Sequence, residues 1–115
     1  MIRDKVVLAI LDGLHLQYAG GPFPNPGFVV ENHTVFASLD PVALDATARR
    51  LIDEYRLPAK LPPLEKSTLW LESAQSMGLG RFAEKDIDLV RVGVRADSQP
   101  LSSPAPRTPR SDPVP

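Results

Sequence analysis

The chain has 115 residues, 13 basic and 14 acidic, with a formal net charge of −1 and only 6% aromatic residues. This balance, with no basic run, argues against a dedicated nucleic-acid binder, and the lack of cysteine excludes disulfides, a thiol nucleophile and cysteine-held zinc or iron-sulfur centres within the chain. The longest apolar run, Val6 to Leu11, is far short of the roughly 20 residues that span a bilayer, and Met1-Ile2-Arg3-Asp4 lacks a secretory signal's layout, so cytoplasmic is the default expectation.

Lys5 to Leu11, with Val6, Val7 and Ile10, is a continuous apolar run closed by Asp12-Gly13, and it reads as a buried strand ending in a turn. Residues 19–27 hold three glycines and three prolines, so neither a helix nor a central strand can pass through them. Thr34 to Ser38 is β-branched and aromatic and predicts a second strand. It runs straight into a helix start, with Asp40 where an N-cap is wanted and Pro41 fixing φ at the first helical position.

From Pro41 to about Arg56, the residues Leu44, Ala48, Leu51, Ile52 and Tyr55 recur as one apolar stripe, with Arg49, Arg50, Asp53 and Glu54 mostly facing water. Pro58, Pro62 and Pro63 make a stiff connector. A second helix is predicted from about Glu65 to Met77, with Trp70, Ala74 and Met77 on one face, Trp70 filling core space, and Gly78-Leu79-Gly80 ending it. Ile87 to Val94 alternates and predicts a third strand whose valines, Val90, Val92 and Val94, face the core. From Asp97 to Pro115 the Pro, Ser, Asp and Arg content cannot offset its ordering entropy, which predicts a disordered tail. The expected architecture is α/β over residues 1–96: a small three-stranded sheet with two main helices, so short that it reads as a partial domain.

Three carboxylates stand near element ends: Asp12 after the first strand, Asp40 before the first long helix and Asp45 inside it. Ligands of α/β sheets collect outside the carboxyl ends of strands, so parallel pairing of the first two strands would bring Asp12 and the Ser38-to-Asp40 turn to one edge. Asp12, Ser38, Asp40 and Asp45 are therefore the candidate ligand-binding residues, and Asp12, Asp40 and Asp45 the candidate ligands of a divalent cation. Each has a structural explanation beside the chemical one. Capping accounts for Asp40; Asp45, on the boundary of the stripe, can pair with Arg49 or with the helix N-terminus. His15 and His33 lack a recognisable ligand spacing, Gly20-Gly21-Pro22 reads as a turn, and Ser38 has no nucleophile-elbow context.

Two resemblances bear on function. Val6-Val7-Leu8-Ala9-Ile10-Leu11-Asp12-Gly13 resembles the first strand of cofactor-independent phosphoglycerate mutases and their alkaline-phosphatase-like relatives, which implies metal-dependent phosphate-ester chemistry built on Asp12. A wider set, Ile2 to Leu14, Gly20-Gly21-Pro22, Ser38-Leu39-Asp40-Pro41-Val42-Ala43-Leu44-Asp45-Ala46, Met77-Gly78-Leu79-Gly80 and Ile87 to Val92, resembles the C-terminal portion of the domain-of-unknown-function 362 family. No activity is established for that family. The resemblance implies a ligand- or divalent-cation-binding accessory domain. It further implies a fragment of a longer protein, or a structural half that meets a missing N-terminal partner or self-associates. Some members carry iron-sulfur segments and export signals; this chain has no cysteine to hold the former and no signal of the latter kind.

Overall fold

A computed structural model describes residues 3–64 and 69–93. The expected start of the second helix at Glu65, Val94 of the expected third strand and the tail from Asp97 to Pro115 lie outside these residues. The architecture is mixed α/β: a two-stranded antiparallel sheet, β1 (Ala9–Gln17) and β2 (Val29–Ser38), and two helices, α1 (Pro41–Arg56) and α2 (Leu69–Ser76).

The first strand begins later and runs further than its apolar run suggests. Its ladder starts where Ala9 meets Ser38, because the chain turns into α1 just beyond Ser38 and leaves nothing opposite Val6, Val7 and Leu8. Those three side chains are exposed, not buried. Asp12-Gly13 does not end the strand either. Gly13 sits inside the ladder, where an added Cβ would lie 2.8 Å from both the Phe36 ring and the Thr34 carbonyl, so it serves close packing across the sheet. Just past it the register shifts, with Asn32 and His33 of β2 opposite Leu14 alone and His33 in the left-handed region at φ 52°. The Asn32 amide donates to the Gly13 carbonyl at 2.9 Å and closes this bulge.

The glycine- and proline-rich loop between the strands is pinned by Gln17. Its amide nitrogen donates to the Ala19 and Phe23 carbonyls at 2.9 and 3.0 Å, and its oxygen accepts the Asn25 N–H at 2.9 Å. Inward-facing residues Leu11, Gly13 and Leu16 of β1, with Val30, Thr34 and Phe36 of β2, form the face on which α1 lies. Tyr55 anchors the far end of α1, stacking on Tyr18 at 6.2 Å and donating its hydroxyl to Asn32 Oδ1 at 3.2 Å.

Burial along α1 departs from a single stripe. Val42, Ala43, Leu44 and Ala46 are buried, whereas Ala48, Leu51, Ile52 and Tyr55 are half-buried. The helix has two neighbours: the sheet on one side, and on the other α2, whose Leu71 forms the core cluster with Val42 and Ala46. Arg49, Arg50 and Asp53 are also half-buried, because each carries a tertiary contact. Arg49 lies 5.9 Å from the Phe82 ring centroid and pairs within the helix with Asp53 at 3.4 Å, Asp53 accepts the Leu64 N–H at 2.8 Å, and Arg50 donates to the Phe82 carbonyl at 2.8 Å. Glu54 alone of that set is exposed.

The C-terminal stop of α2 follows the expected glycine. Gly78 takes φ 69°, its N–H donates to Gln75 O and the Leu79 N–H donates to Ala74 O at 2.9 Å each, the paired bonds of a Schellman motif. Trp70 and Met77 are exposed, and Leu71, one position round the helix, is the buried residue. No third strand joins the sheet among the described residues: 87–93 run without ladder partners. Ile87 packs against the core cluster, while Val90 and Val92, expected to face the core, are exposed, as is Leu89. Alternation reports a two-faced segment but does not supply an edge for it to pair with.

Candidate functional site

The strand-to-helix junction is a local construction. The Asp40 N–H donates to Ser38 Oγ at 3.0 Å, and Asp40 Oδ1 accepts the N–H groups of Val42 and Ala43 at 2.9 and 3.0 Å, capping α1. The other oxygen reaches across the chain: Oδ2 accepts the Arg81 N–H at 2.7 Å. Gly80 permits that approach, since an added Cβ would collide with Asp40 Oδ1 and lie 2.7 Å from Val42 Cβ. Gln75 Oε1 accepts from Phe82 and Ala83 at 2.6 and 3.2 Å, so the segment after α2 is fixed beside the head of α1.

Between these pieces lies an open cleft of about 670 Å³. The head of α1 supplies Leu39, Asp40, Pro41, Val42 and Asp45; α2 and its terminal turn supply Trp70, Ala74, Gly78, Leu79 and Gly80; Val6 closes one side. Trp70 and Ala74, four apart on α2, share one wall, and Gly78 stands in the turn that ends the helix. Asp45 is half-buried, and its carboxylate is bonded to no described group; Arg49, its expected i+4 partner, turns to Asp53 instead. With water partly withdrawn and no compensating donor, burial raises its carboxyl above the ordinary aspartate range.

The sequence candidates thus divide. Asp40 and Asp45 share the cleft, and Ser38 stands behind it, fixing the Asp40 backbone. Asp12 is elsewhere. The strands are antiparallel, Asp12 pairs with Val35 three residues along from the Ala9–Ser38 end, about 10 Å away, and its exposed carboxylate accepts the Leu14 N–H at 2.9 Å. His33 lies 3.3 Å from Glu31, both exposed. Among the described residues, no three His, Asp or Glu side chains gather where they could hold a metal ion. Of the cleft lining only Asp40 and Asp45 were sequence candidates; the facing wall of Trp70, Ala74, Gly78, Leu79 and Gly80 was not. The readable signal was the four-residue spacing of Trp70 and Ala74 on α2. No family model, curated protein or solved structure matches this chain.

Proposed function

We propose that the chain is a ligand-binding accessory domain, as its resemblance to the domain-of-unknown-function 362 family implies, with the cleft at the head of α1 as its binding site. The cleft carries this reading. Its volume of about 670 Å³ falls within the roughly 300–1,000 Å³ typical of small-molecule sites, and its wall has their composition, mainly apolar with few polar groups. A divalent cation has less support, because magnesium and calcium take about six or more oxygens and the Asp40 carboxylate is already engaged by three N–H donors. Phosphate-ester chemistry has less again, since Asp12 stands exposed on a strand and belongs, among the described residues, to no group of three His, Asp or Glu side chains that could hold a metal ion.

Trp70 is the only tryptophan, so its emission reports on the cleft alone. Titration of the full chain with the neutral probe N-phenyl-1-naphthylamine is expected to quench that emission saturably, with Kd on the order of 100 μM. Trp70→Ala, followed through the probe's own emission, should weaken binding by about fivefold or more. A linear, non-saturating response in the wild type would remove the reading.

A second reading, a structural half completed by another chain, is favoured by the outer face of the sheet. Ile10 and Val35 are 66% and 58% exposed there, and a two-stranded sheet is marginal by itself. Sedimentation velocity over a concentration series is expected to show self-association that Ile10→Lys with Val35→Lys abolishes. A wild-type monomer at every concentration would rule out the self-associating version.

A further inference from the structure

The charges of the cleft wall are all of one sign. Asp40 and Asp45 line it, and among the described residues no lysine, arginine or histidine does. The two carboxylates are not equivalent. Both carboxylate oxygens of Asp40 are taken by backbone N–H groups of Val42, Ala43 and Arg81, whereas the Asp45 carboxylate accepts no hydrogen bond from a described group. Its charge is partly desolvated and uncompensated, which a bound cation would relieve. The facing helix contributes Trp70, 52% exposed at the start of α2. Indole is the best of the side-chain rings at attracting a cation over its face, and the attraction grows where water is excluded.

An apolar wall, an indole and one free carboxylate are the parts by which proteins hold organic cations. A hydrated metal ion gains nothing from the apolar wall, and an anion meets two carboxylates. The size of the cleft fits an entire small molecule rather than a single inserted side chain. Resting on the cleft reading above, we propose that the site selects small organic cations, an ammonium group on an aromatic or short alkyl body, with the charge toward Asp45 and the Trp70 ring and the body against the apolar wall.

The test uses the full chain and three probes: benzyltrimethylammonium, its neutral isostere neopentylbenzene, and benzenesulfonate, each titrated against Trp70 emission. The ammonium is expected to bind about fivefold or more tighter than the neutral isostere, with benzenesulfonate weakest. Asp45→Asn, shown to be folded by circular dichroism, should narrow the gap between the two upper affinities to within about twofold. Equal wild-type affinities for the ammonium and the isostere would overturn the cation preference and leave the cleft reading standing. Saturation by none of the probes would remove both. The wild-type comparison needs no variant, so poor folding of Asp45→Asn leaves it decisive.

Discussion

Asp40→Ala is expected to cost about 2–4 kcal/mol of stability, because one side chain performs two separable tasks. The Oδ1 bonds to Val42 and Ala43 cap α1, and loss of such a cap costs about 0.5–2 kcal/mol. The Oδ2 bond to Arg81 is charge-assisted and joins residues 41 positions apart, a class of bond worth about 1.5–3 kcal/mol. The two sum imperfectly, since both share one carboxylate. Asp40→Asn separates them. Asparagine caps as well as aspartate, so its oxygen keeps Val42 and Ala43 while its NH2 meets the Arg81 N–H donor to donor. Urea denaturation should therefore rank wild type above Asp40→Asn above Asp40→Ala. Asp40→Asn matching the wild type would show that the Arg81 bond contributes nothing. Gly80→Ala attacks the same contact from the other side, with its Cβ forced against Asp40 Oδ1 and Val42 Cβ.

What the sequence made legible was whatever local chemistry decides. Asp40 and Pro41 set the start of α1 through a side-chain cap and a fixed φ, and α1 spans Pro41–Arg56 as its period predicts. The stop at Gly78 is equally local, a positive φ that glycine adopts without a Cβ penalty. The misreadings all involve residues distant in the chain. Gly13 looked like a turn, but its reason is the Phe36 ring across the sheet. Arg49 and Asp53 looked solvated because a helical wheel does not show that Leu64 and Phe82 come to meet them. The Leu44 stripe assumed one neighbour, where α1 packs against two. The candidate site divides in the same way. Asp40 and Asp45 were readable from the motif, but the opposite wall, Trp70 and Gly80, is brought up only when α2 folds back on α1.

Leu71→Ala should be the most damaging apolar truncation in the described chain. Leu71 is 0% exposed and is the largest fully buried side chain, in a cluster whose other fully or nearly buried members are Val42 and Ala46. Truncating a buried leucine costs about 2–5 kcal/mol, depending on how far the surroundings collapse. Two features of this core pull in opposite directions. Phe82 and Ile87 lie at its margin, only partly buried, and can move inward; Ala46, itself 0% exposed, has only a methyl group, which cannot reach into the void. Since small domains have total stabilities near the low end of about 5–15 kcal/mol, even the lower figure removes a large fraction. Leu69→Ala is the control, the same truncation on the same helix at a side chain 61% exposed, and it should stay within about 0.5 kcal/mol. Thermal unfolding followed by far-ultraviolet circular dichroism distinguishes the two, and equal effects would show that Leu71 does not hold α2 in place. A functional consequence follows from the helix geometry. Leu71 does not line the cleft, yet its neighbour Trp70 does, so releasing α2 from Val42 and Ala46 should weaken probe binding without any change to a residue the probe touches.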